Sequence, residues 1–295
     1  MIFPIANLVW LTSLFFTCLS WAQAPWPNPE VPLVESGPFE PWGRLKVTLD
    51  HNFALSRTWQ RPPTPLPPPA EGEGPTVPET RDDRYNIVYS SHLTFSTPVA
   101  QLFNDGQLWE MAYEAYQEMM DSAVQYHINV KKLRPGAMSV MAWGNQIILA
   151  SSQKGESFTY DSAIETPVLQ DLRLCQASSA LNGEHRTRGS CGEEMAAHLY
   201  YILNPNGPKI SELKPQAVIG TWVWSASSKL PYHQPWKTLP CGNSQNWGCN
   251  YFTGSGNGGQ NFRVLENSVI SRPYTLPNDV VIDQIQLCGG IRTYV

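Results

Sequence analysis

The chain has 295 residues, 42% of them hydrophobic and 15% charged, so it can bury a core and is not disordered as a whole. Its formal net charge of -5 excludes a generally basic nucleic-acid binder, though not a local basic groove. The length allows one large domain or two modest ones.

Residues 1–24 carry no charged side chain, contain the apolar runs 8–11 and 14–16, and end in Ala22-Gln23-Ala24. That small-x-small ending is one a signal peptidase accepts, and the apolar run is short and interrupted by Thr12, Ser13 and Thr17. The expectation is a signal peptide over 1–24, a secreted extracellular protein, and no membrane segment after cleavage. Cleavage removes Cys18 and leaves Cys175, Cys191, Cys241, Cys249 and Cys288. An odd number leaves one thiol over in a disulfide-only scaffold. Three metal-binding thiols and one disulfide, Cys175 with Cys288, use all of them.

Residues 25–84 read as a Pro-rich arm, largely extended or disordered, because the run at 61–69 favours polyproline II and exposes its backbone. Residues 43–49 alternate like a strand able to pair with an edge of the main sheet. A domain spanning 85–295 follows. Its first short strand is expected over 86–90. The spacing of Leu108, Met111, Ala112, Ala115, Met119 and Ala123 predicts a helix over 107–126, with Asp105 as its cap. Two apolar runs, 137–143 and 146–151, flank Gly144-Asn145 and predict a β-hairpin. Residues 172–177 fit a helix or a strand. Ser190 is a good N-cap for a second helix whose apolar face is Met195, Leu199 and Ile202. Residues 217–224 predict a central strand, and 262–265 and 280–282 predict late edge strands. The order gives a layered α/β arrangement.

The chemistry sits on Cys191-Gly192-Glu193, followed by Pro240-Cys241 and Cys249. Thiolates are zinc ligands, and a helix N-terminus favours the thiolate of Cys191. Three protein ligands leave a fourth position for water, and an unligated carboxylate, Glu193, can then relay protons. Other readings stand beside this one. Ser190 and Glu193 have the spacing of a capping box, and Cys241–Cys249 is a plausible short-loop disulfide in a secreted protein. His185 and His198 are substitute ligand candidates. His185 and Arg188 are also candidate substrate contacts, and Trp247 is the tryptophan best placed to stack on a base.

In its sequence of hairpin, Cys-x-Glu helix, strand and Pro-Cys…Cys, residues 107–251 resemble the zinc-dependent cytidine deaminase-like superfamily. Cysteine in place of histidine as first ligand is similar to its secreted toxin-type branches. The family pattern has two residues between its last two cysteines, whereas seven separate Cys241 from Cys249. The resemblance implies a three-layer α/β/α sandwich with a mixed sheet, zinc on Cys191, Cys241 and Cys249, and Glu193 as proton shuttle. The substrate would be a nucleobase in a nucleoside, nucleotide or nucleic acid, and secretion suits a toxin or effector. The alternative is a non-catalytic, disulfide-stabilised binding or effector protein on the same scaffold.

Overall fold

The computed structural model describes residues 33–56, 85–130, 133–160, 165–179, 183–224, 235–242 and 246–294. The expected signal peptide and the proline run at 61–69 lie outside them. Chain order is β1 (Thr48–Leu49), α1 (His51–Ser56), β2 (Tyr89–Thr94), α2 (Val99–Leu102), α3 (Asp105–Gln125), β3 (Ala137–Trp143), β4 (Gln146–Ser151), α4 (Pro167–Ser178), α5 (Gly192–Leu203), β5 (Val218–Val223), β6 (Trp236–Thr238), α6 (Cys249–Thr253), β7 (Arg263–Val264), β8 (Val281–Gln286) and β9 (Gly290–Thr293).

The strands form one sheet in the order β6-β5-β3-β4-β2-β8-β9, with β1 beside β2 and β7 beside β5. Every pairing is antiparallel except β5 with β7, so the sheet is mixed. The predicted hairpin is present at its expected limits. Its period-2 pattern explains why both faces of the sheet are covered. From β4, Ile147 and Leu149 join the apolar cluster that holds α3, while Ile148 and Ala150 join the one that holds α4, α5 and α6. Helix, sheet and helices thus make three layers, an α/β architecture.

Several sequence expectations are corrected. The cap of α3 is Asn104, not Asp105: the Asn104 carboxamide accepts from Gln107 N while the Gln107 side chain accepts from Asn104 N. Residues 172–177 lie inside a helix, α4, which begins at Pro167 under a Thr166 cap. Strand β8 is not an edge, since it pairs with both β2 and β9. The folded domain also starts well before residue 85. Val34, Leu45, Val47 and Leu49 are buried in the α3-side core, and the buried Glu118 carboxylate of α3 accepts from Leu45 N at 2.8 Å and Val47 N at 3.0 Å. Only Thr48 and Leu49 of the expected 43–49 strand pair with the sheet, because a helix carboxylate takes the amides before them. Among the described residues no helix is long and apolar enough to cross a membrane.

Polar burial within this core has a pH signature. His198, on α5, is buried and its ring's pKa is pushed down to about 3 by desolvation. The Thr159 hydroxyl donates to Gly189 O at 2.9 Å, so at 3.0 Å His198 Nε2 is the donor to Thr159 Oγ1 and the ring is neutral. Unfolded histidine titrates near 6.5. Between these values the unfolded chain binds the extra proton, so this contribution is complete above pH ~6.5 and is lost as pH falls, by up to ~1.4 kcal/mol per unit. A His198→Leu variant should therefore show a flatter pH dependence of unfolding free energy than the parent between pH ~6.5 and ~4. Identical slopes in denaturant titrations would show that His198 is not the acid-sensitive group.

A candidate metal centre at two helix starts

Helix α5 begins over the sheet with Cys191 as its N-cap. Cys191 replaces the expected Ser190 cap, and no side chain caps this end, so the Ser190–Glu193 capping box does not form. The first turn instead presents Glu193 and Glu194, both buried. Acidic groups are favoured beside unsatisfied helix N–H groups, yet carboxylates are rarely buried without partners. Gly192 permits the close seating of this turn. A Cβ there would overlap Ser139 Oγ of β3 and crowd Ala150 O of β4. Gly192→Ala should cost roughly 1–3 kcal/mol by overpacking. Adding Ser139→Ala should recover part of that, whereas a strictly additive double-mutant cycle would place the strain elsewhere.

The other two thiols arrive from a loop that closes on itself. Seven residues separate Cys241 from Cys249, yet the described ends of that span meet, Cys241 O accepting from Asn250 N at 2.9 Å. Gly242 has φ +126°, and a Cβ there would overlap the Asn250 side chain. Trp247 anchors the loop. It is buried, donates Nε1–H to Gly183 O at 2.9 Å, and its carbonyl accepts from Arg186 N at 3.2 Å. Trp247 is therefore a core residue and has no exposed face on which a base could stack.

The result is a tight cluster. Cys241 Sγ lies 3.7 Å from Cys191 Sγ and 3.2 Å from Cys249 Sγ. All five cysteines of the described chain are free, and a 3.2 Å separation is far beyond a disulfide bond of about 2.05 Å. The Cys241–Cys249 disulfide is thus absent, and so is the expected Cys175–Cys288 pair. Cys175 is buried in the α5-side core, Cys288 packs against the same cluster, and both stay thiols. Cys249 Sγ is 3.5 Å from Glu194 Oε2, and Glu194 Oε1 is 3.1 Å from His185 Nε2. The ligand atoms of Cys191, Glu193, Glu194 and Cys249 all lie within 4.8 Å of one another, as do those of His185, Cys241 and Cys249.

His185 is held rigidly. Its Nδ1 accepts from Thr187 N at 3.3 Å and Gly189 N at 3.2 Å, and its ring meets Trp247 edge-on at 5.1 Å. Burial opposes its charge, while Glu194 and the Cys241 thiol pull its pKa up to about 10. Two N–H donors on Nδ1 leave no room for a second ring proton there. We take that pull as a hydrogen-bonding preference of Nε2–H toward its acidic neighbours. His185 is therefore not an exposed substrate contact, and its ring belongs to one of the two groups that could hold an ion. Arg188 points outward and pairs with Glu184 at 2.9 Å, away from the cluster. His198 lies deeper, against Thr159 and Phe158.

Protons within the cluster are shared unequally. Hydrogen bonds from Cys191 and Cys249 hold the Cys241 thiol well below its ordinary value. Its bond to Cys241 pushes Cys191 up, and burial pushes Cys249 up. Burial, with the neighbouring Glu194 charge, pushes Glu193 up to about 7. This group of thiols, carboxylates and imidazole could hold a metal ion, and its donors suit zinc. Zinc–sulfur bonds of about 2.3 Å in a tetrahedron place sulfurs about 3.8 Å apart. The Cys191–Cys241 separation of 3.7 Å meets that value, whereas Cys241 and Cys249 at 3.2 Å lie closer together than it requires.

Glu194 is the member that sequence reasoning missed. Its only signal was a second acid in the first turn of a helix. No family model matches the sequence, and neither a curated protein nor a solved structure matches it.

Proposed function

We propose that the chain is a zinc-dependent hydrolase of the deaminase type, acting on a nucleobase and exported to act outside the cell that makes it. One observation carries this reading: three thiols from two helix starts meet beside a buried carboxylate, Glu193, whose pKa is raised to about 7. The order of elements supports it: the β3–β4 hairpin, then α5 behind Cys191, then β5, then Cys241 and Cys249 follow the order on which the resemblance to cytidine deaminase-like proteins rests, with α4 and β6 as additional elements. Bound zinc would supply Lewis acidity that makes water nucleophilic near neutral pH.

The chain's own groups would do the rest. Cys191, Cys241 and Cys249 hold the ion. Glu193 takes a proton from the nucleophile and delivers it to the departing amine, which a group titrating near neutrality can do in both directions. The Thr221 hydroxyl, beside Glu193 and bonded to Ser139 Oγ at 2.7 Å, fixes the carboxylate. The zinc-loaded protein should release ammonia from a panel of cytosine and adenine nucleosides, nucleotides and single-stranded oligonucleotides. A fully loaded protein that releases none from the whole panel overturns the reading.

A further inference from the structure

We infer that Glu194 is a fourth protein ligand of the metal centre, closing it at rest, and that His185 is the positioning residue that orients this carboxylate. The inference rests on the reading that Cys191, Cys241 and Cys249 hold zinc.

Two independent observations carry it. The first is an edge length. A tetrahedral zinc with one sulfur at about 2.3 Å and one carboxylate oxygen at 2.0–2.2 Å separates those two atoms by about 3.5–3.7 Å. Glu194 Oε2 lies 3.5 Å from Cys249 Sγ. The second is a pair of orphaned polar atoms. The side chains of His185 and Glu194 are both 0% exposed, yet His185 Nε2 and Glu194 Oε1 make no aligned hydrogen bond, although they face each other at 3.1 Å. Two buried polar atoms held at 3.1 Å but out of line leave hydrogen-bonding capacity unused, which points to an arrangement completed by something else. Metal on Oε2 would swing the carboxylate so that Oε1 receives Nε2–H squarely. Ligating carboxylates are commonly braced in this way by a neighbouring donor.

His185 suits the bracing role better than a ligand role. Nε2 could bind metal only without its proton, which would then sit on Nδ1, against the amides of Thr187 and Gly189. Glu193 is left unligated and free to carry protons. Turnover then requires Glu194 to give way to water, so the resting centre is closed and the working one open.

Cobalt(II) in place of zinc reports this directly through its visible spectrum. Cobalt-loaded full mature protein should bind one ion per chain and show no spectral change with millimolar azide. Glu194→Ala should bind zinc at least tenfold more weakly in competition with a chromophoric chelator, and its cobalt spectrum should shift with azide. His185→Gln should weaken zinc binding by about 10–100-fold. Its loaded form should take azide partly. A wild-type cobalt spectrum that shifts readily with azide overturns the inference without recourse to any variant, as does a Glu194→Ala protein with parental zinc affinity. Failure of the wild type to bind zinc or cobalt at all overturns the metal reading as well, and so separates the two.

Discussion

Cys249→Ser protein is expected to lose its metal and most of the stability the metal confers. Cys249 is buried at the start of α6 and is the member shared by both groups of ligand atoms that could hold an ion, so its loss disrupts either arrangement. A ligand that binds only the folded state stabilises it by about 4 kcal/mol at a free concentration a thousandfold above its dissociation constant. For a domain of this size that is on the order of 10 °C in melting temperature. The same loss should follow when the parental protein is treated with a strong chelator, and zinc should restore it. The thiols need to lose protons first, since Cys191 and Cys249 are pushed up, so zinc affinity should fall as pH is lowered. A chelator-treated protein that melts unchanged, or a mass spectrum with Cys241 disulfide-bonded to Cys249, would exclude a metal centre.

On the proposed deaminase function, Glu193→Gln should still bind zinc and lose ammonia release by about 10²–10⁴-fold, the usual worth of a positioned general acid–base. The amide is isosteric and can still meet Thr221, so the fold should be unaffected. The pH profile carries a second signature. Burial and Glu194 push Glu193 to about 7, whereas a bound dication pulls it down. The acidic limb of the parental rate profile should therefore fall at or below pH ~7, as the carboxylate is protonated and can no longer accept. That limb should vanish with Glu193→Gln. A variant with parental ammonia release would leave Glu193 a buried residue without a proton-transfer role.

How much of this was legible beforehand depended on whether the signal was local. The hairpin at 137–151 read correctly to the residue because period-2 apolarity and a Gly144–Asn145 turn are properties of adjacent residues. The long helix was legible for the same reason, its cap misread by one position because Asn104 and Asp105 are both good capping types. The 33–56 segment was misassigned to an arm. Its burial comes from packing of Val34, Leu45, Val47 and Leu49 into the α3-side core, where Glu118, some 70 residues away, accepts from the amides of Leu45 and Val47.

The thiols and Glu193 were found from residue type and order, since cysteine and glutamate carry their chemistry wherever they sit. Sequence alone determined that inventory: which groups could bind metal, which could move a proton, and that a proline-rich run lies at 61–69. Only the tertiary structure decided which groups meet. It brought Cys241 and Cys249 together across their seven-residue spacing and drew Trp247 into the core beside them. It turned His185 into a braced donor and placed Glu194 against Cys249. Convergence depends on loop closure and burial across 50 or more residues, for which short-range periodicity carries no information.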